Sequence, residues 1–173
     1  NQGYDLLQLL CRRHNLTLQS EARFFGMCAR GFICARELRL LFPTTLMHDS
    51  GRAVGALCNF YKLTPSQVLV LHDDLDLVPG QLKLKRSGGF AGHNGLKSIS
   101  AHLGGAADFL RLRIGIGRPA RGEVIGFVLS RPAPAEQALL DQALPAAADG
   151  VELLLTKGLE RATAAVNTFA PVS

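Results

Sequence analysis

Features that would direct the chain to a membrane or a secretory route are missing from its sequence. No apolar run approaches the roughly 18 residues that a spanning helix needs. The opening residues carry neither the charged nor the apolar region of a secretory signal. There is no low-complexity tract, and 47% of the residues are apolar, so the composition argues against disorder. The chain does not begin with Met, which is expected of a fragment or a processed product.

Cysteine is scarce, and its spacing does not suit a metal site. The four cysteines form no C-x-x-C pair and are not accompanied by a paired histidine spacing: Cys11, Cys28, Cys34 and Cys58. Each lies among apolar residues, which favours small core side chains in a reducing compartment over disulfides. The sequence therefore predicts neither a metal centre nor a disulfide framework.

Two common catalytic signatures are also missing. No serine lies in a G-x-S-x-G setting, which argues against a serine hydrolase. The glycine-rich run at residues 88–95 lacks the Lys-Ser/Thr of a P-loop and does not match the dinucleotide-binding fingerprint. Chemistry that depends on a nucleotide cofactor therefore has little support, and no other cofactor is predicted.

One stretch of the sequence is typical of the centre of an α/β domain. The apolar residues 68–71 predict a buried parallel strand, with His72, Asp73 and Asp74 at its carboxyl end. Ligand crevices of open α/β sheets lie at such strand ends. The glycine-rich run then leads into a helix whose N-cap is predicted near Asn94. Backbone N–H groups at this helix start would face the same crevice as the carboxylates.

The remaining elements follow from apolar periodicity, and no linker divides the chain, so residues 1–173 are predicted to form a single α/β domain. Helical spacing predicts helices at residues 4–13, 50–61, 134–148 and 151–169, the last interrupted near Gly158. Strand content predicts strands at residues 24–34, 37–42, 81–86 and 110–116, with a short apolar segment at residues 126–129. The first two of these strands are expected to pair antiparallel.

Basic residues are concentrated between positions 83 and 118, where Asp108 is the only acid: Lys83, Lys85, Arg86, Lys97, Arg111, Arg113 and Arg118. In the strands predicted at residues 81–86 and 110–116, basic and apolar residues alternate, so the basic ones share a face. Such a face suits the phosphates of a nucleic acid. The alternative interpretation is an ordinary solvated surface.

Asp73 and Asn94 are the candidate catalytic residues, and each has a structural alternative. A carboxylate at the end of a buried strand either caps a loop or orients a catalytic imidazole and fixes its tautomer. Asn94 either caps the helix or holds a water molecule or a carbonyl oxygen through its amide. His72 points to the face opposite Asp73, and His48 is expected to be exposed in a loop. The sequence leaves these alternatives open.

Four motifs occur in a fixed order: F-P-T-T-L-M at residues 42–47, H-D-D-L-D at 72–76, G-H-N-G-L-K at 92–97 and R-L-R-I-G-I-G at 111–117. Together they resemble those of the bacterial-type peptidyl-tRNA hydrolases. The resemblance implies a single-domain three-layer α/β/α sandwich around a twisted mixed sheet. It also implies a monomeric, cytoplasmic enzyme that cleaves the ester between peptide and tRNA without a metal, and so recycles tRNA during translation.

The resemblance also implies roles for particular residues. Asp73 would orient the catalytic histidine, and Asn94 would position substrate and water. Four residues would line the peptide groove beside Asn94: Met47, His48, Ala91 and Gly92. Three basic residues would hold the acceptor end of tRNA at its 5′ phosphate: Lys85 and Arg113, with help from Lys83.

Two departures from the family pattern shape the expectation for this chain. The family begins with a central strand and a segment ending R-H-N-x-G, whereas residues 1–3 resemble only the end of that segment. The catalytic histidine is therefore expected immediately before Asn1, and the chain as given is expected to be inactive. His48 stands where the family has Asn, and an imidazole does not replace an amide's donor and acceptor pair. The alternative is a non-catalytic RNA-binding relative, similar to intron-splicing factors.

Overall fold

The computed structural model describes residues 1–118 and 134–173. The chain forms two compact units. The first unit comprises Asn1–Leu10, Leu71–Lys85 and Arg111–Ser173, and the second comprises Cys11–Val70 and Arg86–Leu110. The short segment predicted at residues 126–129 lies outside the described residues.

The described residues contain five α-helices, six strands and three short 3-10 turns. The helices are α1 (Gln2–Arg13), α2 (Ser50–Tyr61), α3 (Asn94–His102), α4 (Pro134–Lys157) and α5 (Leu159–Thr168). The strands are β1 (Gln19–Glu21), β2 (Gly26–Ile33), β3 (Arg36–Pro43), β4 (Leu69–Asp74), β5 (Leu82–Arg86) and β6 (Leu110–Gly115). The 3-10 turns are Ala22–Phe24, Met47–Asp49 and Pro65–Gln67. Among these helices, none is both long enough and apolar enough to cross a membrane.

Strands β1, β2 and β3 form an antiparallel sheet in the second unit. The hairpin between β2 and β3 confirms the predicted antiparallel pair. Its tip is Cys34–Ala35, where both residues have positive φ, so the tip forms a tight turn. Cys34 is exposed there, whereas Cys11 and Cys58 are buried. The prediction of a core position was therefore wrong for Cys34, because the hairpin needs its two central residues outside the packed faces.

The order β4-β6-β5 defines a second sheet, in which β6 is central. The Leu110 N–H donates to the Val68 carbonyl over 2.9 Å. The Ile116 N–H donates to the Asp74 carbonyl over 3.0 Å. Both strands advance by six residues between these two bonds, so β4 and β6 are parallel.

Strands β5 and β6 run in opposite directions. The Gly115 N–H donates to the Gln81 carbonyl over 2.8 Å. The Ser87 N–H donates to the Phe109 carbonyl over 3.2 Å. The residue number therefore falls along β5 as it rises along β6, which makes the pair antiparallel. The second sheet is mixed, as predicted.

Helices α4 and α5 pack together in the first unit, and their boundary differs from the prediction. The sequence placed a break at residues 149–150, but α4 continues to Lys157. A Cβ on Gly150 would lie 2.4 Å from a Val166 methyl group, so this glycine serves close packing of α4 against α5. The chain turns at Gly158, whose φ of 92° is in the region that glycine adopts readily.

Helices α2 and α3 pack closely against each other near Gly51 in the second unit. A Cβ at this position would lie 2.0 Å from the Ser98 carbonyl oxygen. The Gly51 N–H instead donates to the Ser98 hydroxyl over 2.9 Å. Because α2 and α3 meet through these residues, the turn Met47–Asp49 that precedes α2 lies beside the start of α3.

Candidate active site

Strand β4 carries the two adjacent aspartates of the candidate site on opposite faces. The sequence placed Asp73 and Asp74 after the strand, but β4 extends to Asp74, so both belong to it. Side chains alternate along a strand. Asp73 therefore faces one side of the sheet, while His72 and Asp74 face the other. The two carboxylates consequently have different partners.

Asp73 contacts the N-terminus of α1. Its Oδ1 accepts hydrogen bonds from the backbone N–H of Gln2 over 2.8 Å and of Gly3 over 3.2 Å. Among the described residues, these are the only donors to the Asp73 carboxylate, and both bind the same oxygen. A Cβ on Gly3 would lie 2.4 Å from the Leu71 carbonyl oxygen, so glycine permits the helix to approach β4 this closely.

The environment of Asp73 disfavours its charged form. Burial raises the pKa of the Asp73 carboxyl above its ordinary value, although the positive N-terminal amino group and the two backbone N–H groups partly offset this effect. Burial of a carboxylate that keeps one oxygen available is typical of functional sites. The bonds from Gln2 and Gly3 show that Asp73 does cap an element, as one of the two alternatives predicted. The capped element is a helix rather than a loop.

Asp74 forms an ion pair on the other face of the sheet. Its Oδ2 accepts a hydrogen bond from Arg113 Nε over 2.6 Å, and its Oδ1 accepts one from the Asp76 N–H over 2.8 Å. Burial raises the pKa of the Asp74 carboxyl, but the bonds from Arg113 and Asp76 outweigh burial, and the net pKa is lowered. Sequence reasoning gave Asp74 no role, since alternation does not reveal which partner a side chain meets.

The basic residues of β5 and β6 differ in exposure. Lys83 and Lys85 are exposed on β5, and neither forms an ion pair with a described residue. Arg111 is only 3% exposed, because β6 is the central strand. The alternation predicted a shared basic face, and the buried Arg111 adds no exposed charge to it. Arg113 is partly exposed and paired with Asp74.

The register of β5 against β6 places Lys83 beside Arg113. The bonds that join the ends of these strands set Lys83 opposite Arg113 and Lys85 opposite Arg111. Directly opposed residues share a face of the sheet and are separated by about 5.5 Å between Cα atoms. Lys85 is the diagonal neighbour of Arg113, at roughly 7–8 Å. Lys83 is therefore a closer partner for Arg113 than the resemblance implied.

Asn94 is the first residue of α3, and His93 is its N-cap. His93 Nδ1 accepts a hydrogen bond from the Leu96 N–H over 3.2 Å, so an imidazole performs the capping predicted for the asparagine. Asn94 is exposed, and its side-chain amide forms no hydrogen bond with a described residue. The structural alternative for Asn94 was therefore wrong, and its amide can bind a ligand.

Met47 and His48 lie in the turn before α2, and both are exposed. Met47 Cγ lies 3.4 Å from the position that a Cβ on Gly95 would occupy. The His93 ring is closer still, with Cε1 at 2.9 Å from the same position. Gly95 thus lets the turn and the capping ring approach the start of α3, which brings Met47 near Asn94. The family resemblance had grouped Met47 with Asn94, whereas periodicity and local composition gave no sign of this contact.

Ala91 and Gly92 lie in the loop before α3 and are exposed. Both have positive φ, 47° for Ala91 and 77° for Gly92. A positive φ is uncommon for alanine and is often retained where a loop serves a ligand. No atom lies within 4 Å of a Cβ position on Gly92, so the loop backbone is accessible there.

Within residues 1–118 and 134–173, no group of three or more histidine, cysteine, aspartate or glutamate side chains is arranged to hold a metal ion. The chemistry available from the described side chains is that of a buried carboxylate, an exposed amide and a basic strand face.

Comparison with known proteins assigns the chain to a family. The family model described as peptidyl-tRNA hydrolase matches residues 1–172. The peptidyl-tRNA hydrolase of Haemophilus influenzae is 48% identical over 170 residues, which cover 98% of this chain and 88% of that protein. The peptidyl-tRNA hydrolase of Actinobacillus succinogenes is 49% identical with the same coverage.

The fold agrees with a solved structure of the same family. The crystal structure of peptidyl-tRNA hydrolase from Acinetobacter baumannii has a TM-score of 0.94 and 38% sequence identity. The match covers 99% of this chain and 87% of the Acinetobacter baumannii chain. The α/β fold class predicted from the sequence is thereby confirmed. Since sequence and fold agree over nearly the whole length, the chain belongs to the peptidyl-tRNA hydrolase family.

Proposed function

We propose that the protein hydrolyses the ester between peptide and tRNA and so recycles tRNA during translation. Family membership supports the reaction class, and the Asp73 carboxylate carries the mechanistic argument. Its Oδ1 is held by two backbone N–H groups, while its Oδ2 accepts no hydrogen bond from a described residue. An imidazole N–H bound at Oδ2 would be fixed in one tautomer, and its charged form would be stabilised.

In this proposal the histidine acts as a general base on water, and Asp73 orients it. The exposed Asn94 amide holds the water or the ester carbonyl oxygen. The peptide lies along four residues beside Asn94: Met47, His48, Ala91 and Gly92. The contact of Met47 with the Gly95 position supports the grouping of this turn with the start of α3.

The acceptor end of tRNA binds to the basic face of the second sheet through its 5′ phosphate. Lys83, Lys85 and Arg113 share this face, and both lysines are exposed without an ionic partner among the described residues. We also propose a cytoplasmic monomer. The four free cysteines suit a reducing compartment.

A polypeptide of residues 1–173 by itself is proposed to be inactive or nearly so. The described donors to Asp73 are backbone groups, and no imidazole is among them. A general base typically accelerates a reaction by a factor of roughly 10²–10⁴. We therefore expect hydrolysis of peptidyl-tRNA by residues 1–173 to be slower by about that factor than by the same residues preceded by a family-like strand and histidine.

The control places Asp73→Asn in the extended polypeptide. Asparagine keeps an acceptor for Gln2 and Gly3 but does not stabilise a charged imidazole, so the added histidine should then restore little activity. Equal rates for residues 1–173 with and without the extension would contradict the proposed position of the base.

The alternative function is that of a non-catalytic RNA-binding relative. His48 in place of the family asparagine favours it. The same assay separates the two functions. An extended polypeptide that binds tRNA but does not hydrolyse peptidyl-tRNA would favour the RNA-binding function, and restored hydrolysis would exclude it.

A further inference from the structure

We propose that Asp74 is a positioning residue, which holds the Arg113 guanidinium in the orientation that binds the 5′ phosphate of tRNA. This inference rests on the proposed role of Arg113 as a phosphate ligand and adds a residue that neither the motifs nor the comparisons assign.

Both oxygens of Asp74 are fixed. The Asp76 backbone N–H donates to Oδ1 over 2.8 Å, and Arg113 Nε donates to Oδ2 over 2.6 Å. The Asp74 side chain is 9% exposed, compared with 23% for Arg113. The carboxylate is thus anchored to the strand end by the backbone, and the longer arginine side chain adopts the orientation that this anchor allows.

The hydrogen bond to Asp74 uses only Nε of the three guanidinium nitrogens of Arg113. Arg113 Nη1 and Nη2 form no hydrogen bond with a described residue. These two nitrogens present parallel N–H groups, which is the geometry that binds a phosphate in bidentate fashion. Lys83, directly opposite in the strand register, adds a second positive charge on the same face.

A role in orienting Arg113 and a purely electrostatic role predict opposite effects on phosphate binding when Asp74 is removed. If Asp74 only neutralised Arg113, its removal would raise the local positive potential and strengthen phosphate binding. If Asp74 orients Arg113, its removal leaves the Arg113 side chain mobile. Phosphate binding must then restrict that side chain, at a cost in conformational entropy. Immobilising one long side chain lowers the affinity for the phosphate by about two- to tenfold.

The experiment measures binding of two tRNA acceptor-stem hairpins, one with a 5′ phosphate and one with a 5′ hydroxyl, at one salt concentration. Binding does not require catalysis, so a polypeptide of residues 1–173 serves. We expect Asp74→Ala to lower the preference for the 5′ phosphate by about two- to tenfold. Asp74→Glu keeps the charge but displaces the acceptor by one methylene, and it should lower the preference as well.

The control is Asp76→Ala, which removes a neighbouring exposed carboxylate that pairs with Arg118 but keeps the backbone N–H that holds Asp74. Its preference for the 5′ phosphate should not fall. In an Arg113→Ala background, Asp74→Ala should have no further effect, because a positioning residue acts only through the residue that it orients.

The outcomes separate this inference from the proposed function. An unchanged 5′-phosphate preference in Arg113→Ala would refute the phosphate contact itself. A lost preference in Arg113→Ala together with an unchanged or raised preference in Asp74→Ala would refute only the positioning role. If Asp74→Ala does not fold, Asp74→Glu decides, since a charge role predicts an unchanged preference and positioning predicts a lower one.

Discussion

At the scale of single residues, two adjacent aspartates of one strand have opposite electrostatic environments. Burial dominates at Asp73 and raises its pKa, because the positive N-terminal amino group and the backbone N–H groups of Gln2 and Gly3 offset it only in part. Asp74 is also buried, but the Arg113 guanidinium and the Asp76 N–H reverse the effect and lower its pKa. The alternation of side chains along β4 produces the difference, because each aspartate faces a different set of neighbours.

Replacement of each aspartate by asparagine should change stability in opposite directions. The folded pKa of Asp73 is raised, so its contribution to stability is present in acid and is lost as pH rises through the folded pKa. Asp73→Asn should therefore increase the free energy of unfolding at about pH 7 and have little effect near about pH 3. Urea unfolding at the two pH values measures the difference. A variant that is less stable at neutral pH would contradict this account of burial.

Asp74→Asn should show the reverse. The folded pKa of Asp74 is lowered, so its contribution is present above the ordinary aspartate pKa and is lost as pH falls through the folded pKa. Asparagine leaves one of the two donors, Arg113 Nε or the Asp76 N–H, without an acceptor. We expect a loss of about 1.5–3 kcal/mol at neutral pH, which shrinks in acid. The same unfolding series, with Asp73→Asn as the matched variant, measures it.

At the scale of elements, glycines permit close contacts beside several of the proposed site residues. Gly51 lets α2 contact the Ser98 region of α3. Gly95 makes room for Met47 and the His93 ring at the start of α3. Gly3 lets α1 reach β4 beside Asp73. In each case the limit is the space that a Cβ would occupy, since none of these three glycines has a positive φ.

Gly51→Ala should therefore disturb both stability and substrate binding. The added methyl would meet the Ser98 carbonyl at 2.0 Å, and a backbone group cannot move aside as a flexible side chain can. We expect destabilisation of about 1–3 kcal/mol and weaker peptide binding, because the turn that carries Met47 and His48 precedes α2 directly. Thermal unfolding of residues 1–173 measures the first effect, and the KM of the extended polypeptide for peptidyl-tRNA measures the second.

The control for that substitution is Gly89→Ala. No atom lies within 4 Å of its Cβ position, and its φ is not positive, so the unfolding free energy should change by less than about 0.5 kcal/mol. Equal destabilisation by both variants would show that the contact with Ser98 is not the cause.

At the scale of the whole molecule, the net charge of +5 is small, and its distribution matters more than its size. Several arginines of the second unit form salt bridges with aspartate or glutamate, namely Arg23, Arg30, Arg39 and Arg52. Lys83 and Lys85 have no such partner among the described residues. A polyanion should therefore bind the lysine-bearing sheet in preference to the paired arginines.

The salt dependence of tRNA binding should report this distribution. Each phosphate contact releases counterions, so Lys85→Ala and Arg113→Ala should each reduce the slope of log K against log salt concentration by about one. Lys157→Ala, which removes an exposed lysine at the end of α4, should leave the slope unchanged. An unchanged slope in the Lys85 and Arg113 variants would remove both residues from the tRNA interface.

The sequence by itself determined most secondary-structure elements and the family, because local patterns and short motifs encode both. The alternation in β5, the apolar lead into β4 and the periodicity of α2 predicted their elements, because each residue's exposure repeats with the period of its own element. The motifs around Asp73 and Asn94 predicted the family, which the comparisons confirmed. The end of α4 was misplaced because a glycine that packs against a neighbouring helix resembles one that ends a helix.

Only the tertiary structure decided which partners meet. The pairing of Asp74 with Arg113 joins residues 39 positions apart, and the contact of Asp73 with Gln2 joins residues 71 apart. No local pattern encodes such distances. The burial of Arg111, the cap formed by His93 and the exposure of Asn94 likewise depend on strand order and helix packing. These long-range contacts fix the environment of each charged group, and so they shift the pKa values of Asp73 and Asp74 in opposite directions.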